Sequence, residues 1–171
     1  MSDSIDLIVK LIPLFPRLAV IVNGLFGHRY SHDLAHRFAW GSVLMSFLCV
    51  LAVFTETLRT GAAREVVAYK WIFGGDLTVN LAYLIDPLTC IMLLVITGVG
   101  FLIHVYSVGY MHGESGFTRF FVYMNLFMVS MLLLVMGNNY VVLFIGWEGV
   151  GLCSYLLIGY YYDKVSAAKA A

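Results

Sequence analysis

YVVLFIGWEGVGLCSYLLIGYYY, residues 140–162, decides how this chain folds. The stretch holds one charge, that of Glu148. At about 1.5 Å per residue, a helix of this length crosses a bilayer. Glu148 lies close to its midpoint, Gly151. A carboxylate at that depth is costly unless it is protonated, paired or hydrated, so it points to function rather than to packing.

The rest of the chain agrees with a membrane setting. It is 61% hydrophobic and 12% charged, with mean hydropathy +0.90. Soluble domains run at about 25% charged. Ten basic and ten acidic side chains cancel, so no basic field argues for nucleic acid. The opening residues MSDSID are acidic where a signal peptide would be basic, so the apolar runs are expected to be retained as spans. Cys49, Cys90 and Cys153 each lie in an apolar run with no CxxC spacing. They read as small packing residues, not as zinc or iron–sulfur ligands.

Four further apolar segments join the first, at 11–26, 38–58, 87–106 and 120–137. The expected fold is an all-α integral membrane protein of about five transmembrane helices, 1–171 forming one membrane domain. Arg17 stands within the first segment, either snorkelling or facing a partner helix. The connection 59–86 alternates Trp71, Phe73, Leu77, Val79, Leu81 and Tyr83 around Gly74-Gly75, which predicts a short extramembrane β-hairpin. Only Gly137-Asn138-Asn139 joins the last two spans, which must be antiparallel neighbours. With the N-terminus outside, five Lys and Arg fall inside and four outside, and this slight bias favours that orientation.

On a helix, Gly151, Leu152 and Tyr155 share the face of Glu148. Gly151 leaves space beside the carboxyl, and Tyr155 offers a hydroxyl two turns along. Gly146, Gly149 and Gly151 keep the surface small for close helix packing. A carboxyl is favoured neutral in hydrocarbon and ionised beside a cation, so a movable cation would switch its proton. The competing reading is a structural carboxyl hydrogen-bonded to a neighbouring helix. His104, near the end of the third span, reads either as a proton relay or as a helix-end group reaching the interface. His28, His32 and His36 recur every four residues, but in a short loop flanked by Arg29 and Arg37 they read as headgroup-level residues rather than a metal site. Asp86-Pro87 is an ordinary helix start, and Arg119 an interfacial anchor. Gly98-Val99-Gly100 lies inside a span and follows no strand, so no nucleotide site is indicated.

GWEGVGLCSYLLIGYYY (146–162) resembles the antiporter-type membrane subunits of respiratory complex I, above all the chain 5, or subunit L, branch. LIPLFPRLAVIVNGLFG (11–27), DPLTCIMLLVITGVGFLIHVYSVGYMHGE (86–114) and TRFFVYMNLFMVSMLLLVMGNN (118–139) follow in the same order. Cation/proton antiporter subunits share much of this pattern and are the rival within the superfamily. The resemblance implies a proton-translocating subunit in which Glu148 belongs to a proton pathway, with Tyr155 and His104 as lesser candidates. It implies that flavin, iron–sulfur clusters and quinone are bound by other subunits and that this chain holds no cofactor. Expected partners are other complex I membrane subunits, lipid, and the remainder of the same subunit from a sixth helix onward. Residues 118–171 would begin the first of two inverted repeats, and the whole chain would be an N-terminal portion. The implied setting is the bacterial or mitochondrial inner membrane, with the N-terminus on its positive side.

Overall fold

A computed structural model describes residues 2–27, 29, 32–74 and 77–171. The elements run α1 (Ser2–Phe26), α2 (His32–Thr60), β1 (Arg64–Gly74), β2 (Leu77–Ile85), α3 (Pro87–Tyr110), α4 (Phe117–Met136), α5 (Tyr140–Ile158), a 3-10 turn (Gly159–Tyr161) and α6 (Val165–Ala170). The protein is an all-α membrane bundle with one small antiparallel sheet. α2, α3, α4 and the run Tyr140–Tyr161 have the length and apolar character of membrane spans.

α1 has the length too, but it starts well before the expected 11 and carries Asp3, Asp6, Lys10 and Arg17. Pro13 and Pro16 fall inside it. Each removes one helical hydrogen bond, and packing on α2 and α4 holds the helix nonetheless. Arg17 is exposed. Its charge reaches the hairpin, where burial pushes the Tyr83 hydroxyl above its ordinary value and Arg17 offsets part of that shift. α2 begins at His32 rather than 38, and α3 runs on to Tyr110 rather than 106.

The helix ends follow from local chemistry. Asp86 caps α3, its carboxylate accepting from Thr89 N at 2.6 Å, with Pro87 at the first helical position. Asn139 caps α5 in the same way, accepting from Val142 N at 3.1 Å. The two caps set where two spans enter the membrane.

The hairpin is longer than its tip suggested. Arg64 pairs with Ile85 at the root and Gly74 with Leu77 near the end, while Gly75 lies outside the described residues. Register shifts between Val67 and Tyr69 and between Lys70 and Ile72 break the expected alternation. Each shift places an extra residue on β1, and Trp71 is one of them. The hairpin root is pinned to the bundle. Tyr83 bridges to Gly137, and Asn138 N donates to Ala82 O at 3.2 Å. Asn139 Nδ2 donates to Asn80 O at 2.9 Å, and Arg64 pairs with Asp6 at 2.8 Å.

α4 is the central helix and packs against α1, α2, α3 and α5. At the hairpin end, Val9, Ile12, Val53, Leu93, Leu132 and Met136 belong to the larger apolar cluster. At the opposite end, Ala39, Met111, Phe117, Phe121 and Tyr160 form a smaller one. Buried polar side chains lie along the helices as well: Ser46, Thr97, His104 and Asn125 are fully enclosed.

Candidate functional site

α5 buries Val142, Gly146 and Cys153, a stripe on one side of the helix. Gly146 and Gly149 carry the contact with α4. A Cβ on Gly146 would fall on the backbone of Leu134, and one on Gly149 would strike Ser130 Oγ. This close approach needs glycine, and in hydrocarbon it is what holds two helices together.

Glu148 lies two residues from Gly146, about 200° around the helix. It is exposed, as are Trp147, Leu152 and Tyr155. Among the described residues it has no hydrogen-bond or ion-pair partner. The bundle therefore does not hold Glu148 as a structural carboxyl bonded to a neighbouring helix. Gly151, expected to pack, has nothing within 4 Å of a Cβ built on it. Packing falls to Gly146 and Gly149, and Gly151 stands on the open face beside the carboxyl. Tyr155 is 57% exposed on that same face, two turns along. Glu148, Gly151 and Tyr155 are thus brought to one outward surface of a span, Tyr155 also lining a pocket with Arg119 and Tyr123 of α4.

His104 is not among them. It is fully buried, two turns from the end of α3, so it does not reach the interface as a helix-end group would. Its Nδ1 lies 2.8 Å from Gly100 O, and its ring tilts against Phe121 at 6.3 Å. Phe121 and Asn125 line one side of α4, and Ser130 and Leu134, which meet α5, line the other. α4 stands between His104 and the Glu148 face.

The histidine spacing resolves differently from the expected loop. His28 lies outside the described residues, as does the side chain of His32. His36 sits in α2, its ring 5.9 Å from Phe117 and 6.4 Å from Phe121. Among the described residues no group of His, Cys, Asp or Glu could hold a metal ion.

Two features were not legible in the sequence. Asn125 Oδ1 accepts from Ser42 Oγ at 2.9 Å, joining α2 to α4 across 83 positions of sequence. Arg119 lies between the Tyr160 and Tyr162 rings, 5.1 Å from each, and fastens the start of α4 to the segment after α5. An aromatic-rich helix end was the available signal, but nothing in the spacing paired those rings with Arg119.

Residues 71–121 match the family model described as NADH-Ubiquinone oxidoreductase (complex I), chain 5 N-terminus. Residues 137–171 match the one described as NADH:quinone oxidoreductase/Mrp antiporter, TM. NADH-quinone oxidoreductase subunit L of Pseudomonas aeruginosa is 44% identical over 161 residues, 92% of this chain and 26% of that protein. The chain belongs to the subunit L family. The subunit L of Mycobacterium tuberculosis is 47% identical over 150 residues, 86% of this chain and 24% of its own length. That of Rickettsia conorii is 42% identical over 171 residues, all of this chain and 26% of its own length. The chain spans about a quarter of the length of the curated relatives it matches. His104 lies within the first matched segment, and Glu148 and Tyr155 within the second.

Proposed function

We propose that this chain contributes a proton-carrying carboxyl, Glu148, to a proton-translocating NADH-quinone oxidoreductase. Within that complex, quinone reduction drives proton movement through membrane subunits. The observation that carries the reading is the placement of Glu148: mid-span, exposed on α5, and facing away from every helix it is packed with. A carboxyl in that position needs water or a cationic partner supplied from beyond α1–α4. Gly151 leaves room beside it, and Tyr155 extends the polar face along the helix. The names of the relatives favour the oxidoreductase over a cation/proton antiporter, although one matching family description covers both. Other membrane subunits of the complex are the natural partners. Flavin, iron–sulfur clusters and quinone would sit in other subunits, and His104, behind α4, would act apart from Glu148.

The test is Glu148→Gln in the assembled enzyme, reconstituted in vesicles. Gln keeps the shape and hydrogen-bonding capacity but cannot ionise. Fewer protons moved per electron, with assembly and quinone reduction retained, supports the reading. An unchanged proton-to-electron ratio overturns it.

A further inference from the structure

The imidazole of His104 is enclosed between α2, α3 and α4, with one nitrogen satisfied and the other bare. Nδ1 lies 2.8 Å from Gly100 O. A carbonyl oxygen only accepts, so Nδ1 carries the hydrogen and donates. In the neutral ring Nε2 is then an acceptor, and among the described residues it has no partner. A buried polar atom left without a bond costs about 1–3 kcal/mol. The cost is removed only by a donor, and the Phe121 ring tilted against the imidazole offers none.

The surroundings are polar enough to hold a small donor. One turn along α4 from Phe121, Asn125 Nδ2 donates to Phe121 O at 3.0 Å, and Ser42 Oγ donates to Asn125 Oδ1 at 2.9 Å. Ser46 and Thr97 are fully buried nearer the hairpin end. The His36 ring stands 6.4 Å from the Phe121 ring, and its buried Nδ1 also lacks a partner among the described residues. Two unpartnered ring nitrogens thus lie around one aromatic ring, Phe121, which belongs to the smaller apolar cluster. Buried waters occupy such places, bonded to polar groups that nothing else satisfies.

We propose that His104 Nε2 anchors a buried water between α2, α3 and α4, a hydrated imidazole site on the opposite side of α4 from Glu148. The site stands independently of any role for Glu148, because Phe121 and Asn125 face away from the α4 surface that meets Gly146 and Gly149.

Hydroxyl-radical footprinting by synchrotron radiolysis of the assembled complex in nanodiscs tests this in the unmodified protein. Radicals born from a trapped water oxidise the side chains beside it. Met128 and Met136 share one reactivity and are both buried, 2% and 0% exposed. Met128 meets Gly100, one turn from His104, whereas Met136 lies in the apolar cluster at the hairpin end. Met128 should oxidise at least ten times faster than Met136. His104→Leu, which removes the acceptor, should bring Met128 down to the Met136 rate, and Glu148→Gln should leave Met128 unchanged. Equal rates at the two methionines in the unmodified protein overturn the proposal, as does a Met128 rate that survives His104→Leu. If His104→Leu fails to assemble, the two-methionine comparison decides alone.

Discussion

Asp86 shows how one side chain fixes the start of a span. The Thr89 N–H bonded to its carboxylate holds that carboxyl below its ordinary value. The sign of the pH effect follows. A carboxyl whose folded value lies below its unfolded one stabilises the fold fully above about pH 4. The contribution fades as acid takes the pH down through the folded value. Asp86→Asn keeps an oxygen for Thr89 N but cannot titrate, so its thermal midpoint in detergent should fall less than wild type between pH 5 and pH 3. Asp86→Ala should cost about 1 kcal/mol at neutral pH. Identical acid dependence in wild type and Asp86→Asn would remove the cap as the cause. The cap was readable in the Asp-Pro pair, because it depends on adjacent residues alone. The roles of the glycines were not. Gly146, Gly149 and Gly151 look alike in sequence, and only the position of α4 separates them. Gly146→Ala drives a methyl into the Leu134 backbone, which cannot yield as a side chain would, and should cost about 1–3 kcal/mol. Gly151→Ala enters open space and should leave the unfolding midpoint unchanged. Equal losses at both positions would place α5 in some other rotation on α4.

At the scale of elements, helix existence was legible because long apolar runs have one solution in lipid, with every backbone group bonded within its own segment. Boundaries were less so. α1 begins at Ser2 and α2 at His32, because polar and charged first turns can extend a helix beyond the apolar run. The hairpin was visible in the alternation of 71–83, but its register shifts were not, since an extra residue leaves no compositional mark. Least legible was the clamp between the hairpin and the turn after α4, which joins positions far apart in sequence. Asn139 serves that clamp twice, capping α5 through Oδ1 and holding Asn80 O through Nδ2. Asn139→Ala loses both and should cost about 1–2 kcal/mol, whereas Asn139→Asp keeps the cap and loses the Nδ2 bonds to Asn80 O and Asn138 Oδ1. The midpoint of Asn139→Asp should therefore fall between wild type and Asn139→Ala. Coincident midpoints for the two variants would show that the tie to the hairpin, not the cap, carries the effect.

At the scale of the whole molecule, α1–α5 alternate in direction, so the hairpin and α6 occupy opposite faces of the bundle. The hairpin ends where Thr60 of α2 stops and Pro87 of α3 starts, and α6 follows the far end of α5. Lys10, Arg59, Arg64 and Lys70 belong to the hairpin half, and Arg29, Arg37, Arg119, Lys164 and Lys169 to the other. Five against four is a narrow margin for a rule that counts loop charges. The rule counts Lys and Arg and gives Asp and Glu little weight, so the pairs Arg64–Asp6 and Arg59–Glu56 leave the count as it stands. The half containing α6 should therefore face the cytoplasmic or matrix side, and the hairpin the positive side. Single cysteines at Tyr69, exposed on β1, and at Ser166, exposed on α6, report this when Cys49, Cys90 and Cys153 have been replaced. With a membrane-impermeant thiol reagent, right-side-out vesicles should label Tyr69→Cys and inverted vesicles Ser166→Cys. The reverse pattern would invert the assigned orientation while leaving the fold intact. Labelling of both positions from one side would mean that the chain crosses the membrane differently from this bundle, and the mid-membrane depth assigned to Glu148 would fall with it.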